Sequence, residues 1–162
     1  MNNIPDNVRA EIEDLKESIK TRLTELKAEA GKDVQIDEFD VDTALLDTPK
    51  LYSKWNEYFT DETMNLKNLY TLKERVKLER WKYYMGKQDA KYYHNYGQVH
   101  ESILKSDVDK YLSADEKIAL VNELVSAQKA LADFIERTMK EIGNRGFHCK
   151  GIIDWRKFTS GA

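Results

Sequence analysis

Between Lys67 and Lys91 the chain carries eight cations, Lys67, Lys73, Arg75, Lys77, Arg80, Lys82, Lys87 and Lys91, against three acids, Glu74, Glu79 and Asp89. The stretch is therefore +5 in a protein whose formal net charge is -3. Trp81, Tyr83, Tyr84, Tyr92, Tyr93 and Tyr96 crowd the end of it. Cations beside exposed rings suit a single-stranded nucleic acid, because cations neutralise phosphates while unpaired bases stack on aromatic faces at about 1–3 kcal/mol each. On a helix, at about 100° per residue, Lys73, Lys77, Arg80 and Tyr84 fall along one line, and Leu69, Leu72, Val76 and Tyr83 form an adjoining apolar stripe. The candidate DNA-binding residues are Lys73, Lys77, Arg80, Trp81, Lys82, Tyr83, Tyr84 and Lys87. The same residues also read as a solvated basic face whose tyrosines plug a core.

Other chemistry finds no constellation. No GxxxxGK[ST] phosphate loop occurs, so nothing suggests nucleotide hydrolysis. His94, His100 and His148 are scattered, and His148-Cys149 lacks a second pair at metal-ligand spacing. Adjacent residues rarely face each other, so that pair does not make a nucleophile and base. Asp107 and Asp109 read as a solvated loop. No catalytic residue, metal or cofactor is expected, and the protein is not read as an enzyme.

The elements that position the basic stretch read as an all-α fold. The 162 residues hold 41% hydrophobic and 34% charged residues with only 2 Pro and 7 Gly, the composition of a charged helical protein. Charge alternates along the chain: residues 1–47 have thirteen acids and six bases, residues 101–136 eight acids and four bases, and residues 137–162 two acids and six bases. Acidic parts are then available to proteins and basic parts to phosphates. The single cysteine, Cys149, leaves no internal disulfide and fits a reducing cytoplasm. No apolar run suggests a signal peptide or a membrane span.

From Pro5 to about Ala30, Val8, Ile12, Leu15, Ile19, Leu23 and Leu26 recur at helical spacing, and Gly31 is placed to end the helix. Its thin stripe reads as a partner-docking seam or as a plain core face. Residues 32–48 are acid-rich, with a brief helical turn expected around Thr43 to Leu46. Thr48 caps and Pro49 opens the next helix, which bends near Phe59 to Glu62 and runs into the basic stretch. Gly86 interrupts the helix, and residues 87–102 read as a polar, tyrosine-rich connection in which Gly97 adds a second break. Ser113 followed by Glu116 is a capping-box pattern opening a long helix to Ile142. That helix has two apolar seams, Ile118, Val121, Val125, Ile135, Met139 and Ile142 beside Leu120, Leu124, Leu131 and Phe134, and is the candidate for self-association. Gly143 and Gly146 close it. The tail from Phe147, with Trp155 and Phe158, docks on its own domain or on a neighbouring subunit. The expected organisation is an N-terminal helical extension over residues 1–31 and a helical domain over 32–162. In the latter, about 60–86 form the DNA-binding helix and about 113–143 the self-association helix.

Four stretches together resemble the UvsY family, the recombination mediators of T4-like bacteriophages. They are LYSKW at Leu51 to Trp55, LERWKYYMG at Leu78 to Gly86, LSADEK at Leu112 to Lys117, and Arg145-Gly146-Phe147 followed by Lys150, Ile152, Asp154, Arg156 and Phe158. The resemblance implies a non-enzymatic homo-oligomer, a ring of six or seven subunits, that binds single-stranded DNA. Such a protein helps a RecA-like recombinase assemble on strands covered by single-strand-binding protein. The family's DNA-binding motif sets a Lys and an Arg ahead of Tyr-Tyr-x-Gly. Arg80, Tyr83, Tyr84 and Gly86 match it, whereas Leu78 stands at the Lys position and Lys77 is its neighbour. The first 30 residues precede the family's usual start, and the resemblance gives them no role. A helical assembly or scaffold protein without a DNA role is the competing reading.

Overall fold

A computed structural model describes residues 4–99 and 103–161. Its elements are α1 (Asp6–Asp33), α2 (Val41–Tyr84), α3 (Ala90–Tyr96), α4 (Val108–Ser113), α5 (Glu116–Gly143) and α6 (Arg145–Ser160). No strand occurs among the described residues. The chain divides into two compact units, one from Met1–Lys20 with Asn65–Lys129, the other from Thr21–Met64 with Ala130–Ala162. Helices α1, α2 and α5 thus each contribute a segment to both.

In the first unit the buried apolar residues are Ile4, Ile19, Val76, Tyr83, Tyr84, Val108, Leu112, Leu120, Val121, Leu124 and Val125. Arg9 and Lys16 of α1 pair with Glu116 and Glu123 of α5 at 2.5 Å each. These pairs are exposed and contribute little, whereas Ile4 and Ile19 are buried.

In the second unit Leu26, Ala30, Trp55, Leu131, Ile135, Met139 and Ile142 are buried, and Cys149 packs with Val41 and Ala44. The Trp55 indole N–H donates to Asp33 Oδ2 at 2.8 Å, and its ring meets Phe134 edge-on at 6.4 Å. Lys54 bridges Asp33 and Glu29. The LYSKW stretch therefore earns its spacing by clamping the end of α1. Arg145 does the same from α6: its Nη1 donates to the carbonyls of Asp33 (2.5 Å) and Gln35 (2.9 Å), and its Nη2 to that of Ala44 (3.3 Å).

Several sequence expectations give way to tertiary contacts. Helix α1 continues past Gly31 to Asp33, whose side chain is engaged by Lys54 and Trp55 and whose carbonyl is engaged by Arg145. Helix α2 begins at Val41, with Asp40 Oδ1 accepting from the Thr43 N–H at 3.3 Å, so Pro49 lies inside it rather than opening it. Proline costs the Leu45 carbonyl its partner, but buried Val41, Ala44 and Trp55 hold the helix on both sides of it. The helix is continuous through Phe59 to Glu62.

The connection after Gly86 is partly helical. Gly86, at φ 69°, ends α2 in a Schellman arrangement, with Lys87 N–H on the Lys82 carbonyl (2.8 Å) and Gly86 N–H on that of Tyr83 (3.2 Å). Asp89 then caps α3 by accepting from the Tyr92 N–H at 2.7 Å. Residues 100–102, including His100, lie outside the described residues.

Ser113 does not cap α5 but closes α4, donating to the Lys110 carbonyl. The cap is Asp115, whose Oδ1 accepts from the Ile118 N–H at 3.1 Å. Gly146 and Gly151 lie within α6, so the tail is a helix and only Asn144 separates it from α5. Both apolar seams of α5 are covered by the chain itself: of their ten residues eight are buried and Ile118 and Phe134 half-buried. The large exposed apolar side chains lie elsewhere, notably Phe147, Trp155 and Phe158 on α6 and Phe39 before α2.

Candidate nucleic-acid interface

The basic half of α2 presents two different faces. Leu69, Val76 and Tyr83, seven residues apart, run along its packed side, and Arg80 stands four residues after Val76 on that same side. Arg80 is 1% exposed. Its Nε donates to Asp115 Oδ2 at 2.7 Å and its Nη1 to the Tyr92 hydroxyl at 3.3 Å. Its guanidinium also lies 4.1 Å from the centroid of the Tyr83 ring and within 6 Å of the Tyr84 and Tyr96 rings. Burial alone would lower the Arg80 pKa, but the Tyr92 hydrogen bond and the Asp115 charge outweigh it and push the group further up.

This cage extends outward. Tyr84 Oη donates to Asp115 Oδ2 at 2.8 Å, Tyr92 Oη to Glu79 Oε1 at 2.5 Å, and Lys117 Nζ to the same Glu79 oxygen at 2.6 Å. Burial first, and then the hydrogen bond to Glu79, raise the Tyr92 pKa far above the ordinary phenol range. Tyr92 and Tyr96 stack at 4.3 Å between centroids. Glu79 and Asp115 are thereby neutralised within the fold, which leaves Glu74 and Asp89 as the exposed acids of the basic stretch.

The outer side carries the free chemistry. Lys67, Arg75, Lys77, Lys82, Lys87 and Lys91 are exposed, six cations against those two acids. Trp81 is half-buried, with Lys87 Nζ 4.8 Å from its ring. Of the residues singled out from sequence, Lys77, Lys82 and Lys87 are exposed, Lys73 and Trp81 half-buried, and Arg80, Tyr83 and Tyr84 buried. The structure does not bring Lys73, Lys77, Arg80 and Tyr84 together on an open face: Arg80 and Tyr84 are buried and Lys73 is half-buried, which leaves Lys77 as the exposed member of that line. Lys67 and Arg75 were not among the selected residues, although the seven-residue spacing of Leu69, Val76 and Tyr83 identifies the packed side and so places both outside it. The anchoring role of Asp115 has no local signal, since its partner lies 35 residues away.

Beside these residues is a cavity of about 340 Å³ lined by Tyr83, Tyr84, Met85, Gly86, Tyr93, Gln98, Val99 and Ile103. Among the described residues no cluster of three or more His, Cys, Asp and Glu side chains could hold a metal ion, and no helix is long and apolar enough to cross a membrane.

An all-helical chain whose open chemistry is a row of cations beside an indole belongs with binding proteins for extended polyanions. More narrowly, the chain belongs to the UvsY family, described as recombination, repair and single-stranded-DNA-binding proteins, whose profile matches residues 29–162. The recombination protein UvsY of enterobacteria phage T4 is 29% identical over 140 residues, covering 86% of this chain and 98% of its own. Crystal structures of the bacteriophage T4 recombination mediator protein UvsY are similar in fold. One lattice form gives a TM-score of 0.73 at 26% identity over 84% of this chain and 98% of its own. Another gives 0.72 at 27% identity over 85% and 96%. Most of α1 precedes the matched region.

Proposed function

We propose that this protein binds single-stranded DNA along the outer side of α2 and acts as a recombination mediator, helping a RecA-like recombinase assemble on strands covered by single-strand-binding protein. The observation that carries the reading is the separation of charge within α2 and the turn that follows it. Arg80 is neutralised inside, while Lys67, Arg75, Lys77, Lys82 and Lys87 stay exposed beside Trp81. Phosphates meet the cations, and Trp81 offers a face for a base. Lys73, half-buried, contributes at the margin, and Arg80, Tyr83 and Tyr84 support the surface from beneath. The role is binding and delivery, without catalysis.

A few cations per chain hold a strand weakly, and repetition in an oligomer raises avidity by orders of magnitude. The surface proposed to join copies is α6, where Phe147, Trp155 and Phe158 are 78%, 65% and 77% exposed and share one side at spacings of eight and three. Rings this exposed mark an interaction surface.

Fluorescence anisotropy with a labelled single strand and its duplex, across a salt series, tests the DNA reading. The single strand should be preferred, with affinity falling as salt rises. Lys82→Ala with Lys87→Ala should flatten the log–log salt slope by about 0.7 per lysine, and Lys73→Ala by less. Equal binding of both DNAs, or a slope indifferent to Lys82 and Lys87, would overturn the assignment.

A further inference from the structure

We propose that the cavity at the C-terminal end of α2, walled by Tyr83, Tyr84, Tyr93 and Val99 and edged by Gln98, takes one unstacked nucleobase of the bound strand; this rests on the single-stranded-DNA reading above. Its volume of about 340 Å³ is at the small end of ligand clefts, which run roughly 300–1,000 Å³. That suits one base rather than a stacked pair.

The walls are preorganised. Tyr93 Oη donates to the Tyr83 carbonyl at 3.0 Å and accepts from the Gln88 N–H at 3.4 Å, and Tyr84 Oη is held by Asp115. The Tyr83 and Tyr93 rings stack at 5.7 Å and 29°. Arg80 and Tyr93 lie against the Tyr83 ring and the hydroxyls are engaged inside the protein, so what these tyrosines lend the cavity is a fixed lining of ring edges, against which a base packs. Gln98 is exposed and offers an amide donor and acceptor together, matching the mixed polar edge that bases present. Gly86 leaves its side of the cavity open, since a Cβ there would meet nothing within 4 Å.

Charge decides the occupant. Lys87 follows Gly86 directly and Lys82 lies one turn before it, both exposed, so a base in the cavity has cations within reach of its flanking phosphates. An apolar peptide side chain would have no use for them.

The test compares two short single strands of equal charge, one fully base-bearing and one with abasic residues, by anisotropy at fixed salt. A 2-aminopurine strand reports stacking by its fluorescence. The folded protein should favour the base-bearing strand by about tenfold or more. Val99→Trp, which fills the cavity, should bring that ratio towards one and relieve 2-aminopurine quenching. Gln98→Ala, at an exposed position that does not threaten folding, should lower the ratio in the same direction. Wild-type ratios in both variants, with Trp81→Ala alone removing the preference, would place the base on the indole and overturn the cavity. Strong binding with no base preference would also overturn it while leaving the DNA reading intact, whereas no binding of either strand would overturn both.

Discussion

Arg80 and Asp115 form a buried ion pair, with Nε 2.7 Å from Oδ2 and both side chains at most 2% exposed. It joins α2 to the start of α5, where the other oxygen of Asp115 caps the helix. Removing one partner of such a pair strands the other charge away from water, at about 3–5 kcal/mol. Arg80→Met is expected to destabilise the fold by that order in urea unfolding. Asp115→Asn keeps a good cap residue yet should lose a similar amount. The combined change should lose less than the sum of the two. DNA binding separates support from contact. Both single variants should reduce affinity together, through loss of the folded surface. A selective effect of Arg80→Met in fully folded protein, with Asp115→Asn neutral, would make Arg80 a phosphate contact.

Tyr92 makes the first unit sensitive to alkali. Its folded-state pKa is raised by burial and by Glu79, whereas the unfolded chain releases a tyrosine proton near pH 10. Above that pH the unfolded state binds fewer protons than the folded one, so stability falls as pH rises. Thermal unfolding between pH 8 and 11 should show the decline beginning near pH 10. Tyr92→Phe should lose stability at neutral pH with its hydrogen bonds and decline less steeply in alkali. Parallel pH profiles for the two proteins would exclude this role.

Arg145 holds three backbone carbonyls, from the end of α1, the following connection and the start of α2. Hydrogen bonds from a charged donor contribute about 1.5–3 kcal/mol each. Arg145→Met should therefore lower stability by roughly 3 kcal/mol or more. Arg145→Lys should recover little, because one ammonium cannot reproduce the planar fork. Denaturant midpoints for the three proteins give the order directly.

On α6, Trp155→Glu with Phe158→Glu alters exposed rings and should leave helicity and melting temperature near wild type. If α6 joins copies, sedimentation should show smaller assemblies and the affinity for long single strands should drop by about tenfold or more. Unchanged assembly size would remove α6 as the joining surface. The buried seams of α5 make the contrasting case. Ile135→Glu there is expected to unfold the protein, since it buries an unpaired charge.

Much of this protein is local and can be read from sequence alone. Composition and spacing determined the helical class, the basic stretch, the crowding of tyrosines and the glycine stop at Gly86, because helical periodicity and glycine's left-handed φ act within a few residues. The ordered motifs carried the family. Tertiary structure alone decided what those residues face. A cation at position 80 has the same wheel position whether that side meets solvent or a carboxylate, and Asp115 lies 35 residues away. The same applies to Pro49, tolerated inside α2 because packing on both sides holds the helix, and to Ser113, displaced as the cap of α5 by an aspartate that Arg80 and Tyr84 hold in place. It applies to α5 too, whose wide apolar surface looks unpartnered in sequence and is covered by its own chain. Burial is a property of pairs distant in sequence, so which cations remain open to a strand was settled by the fold.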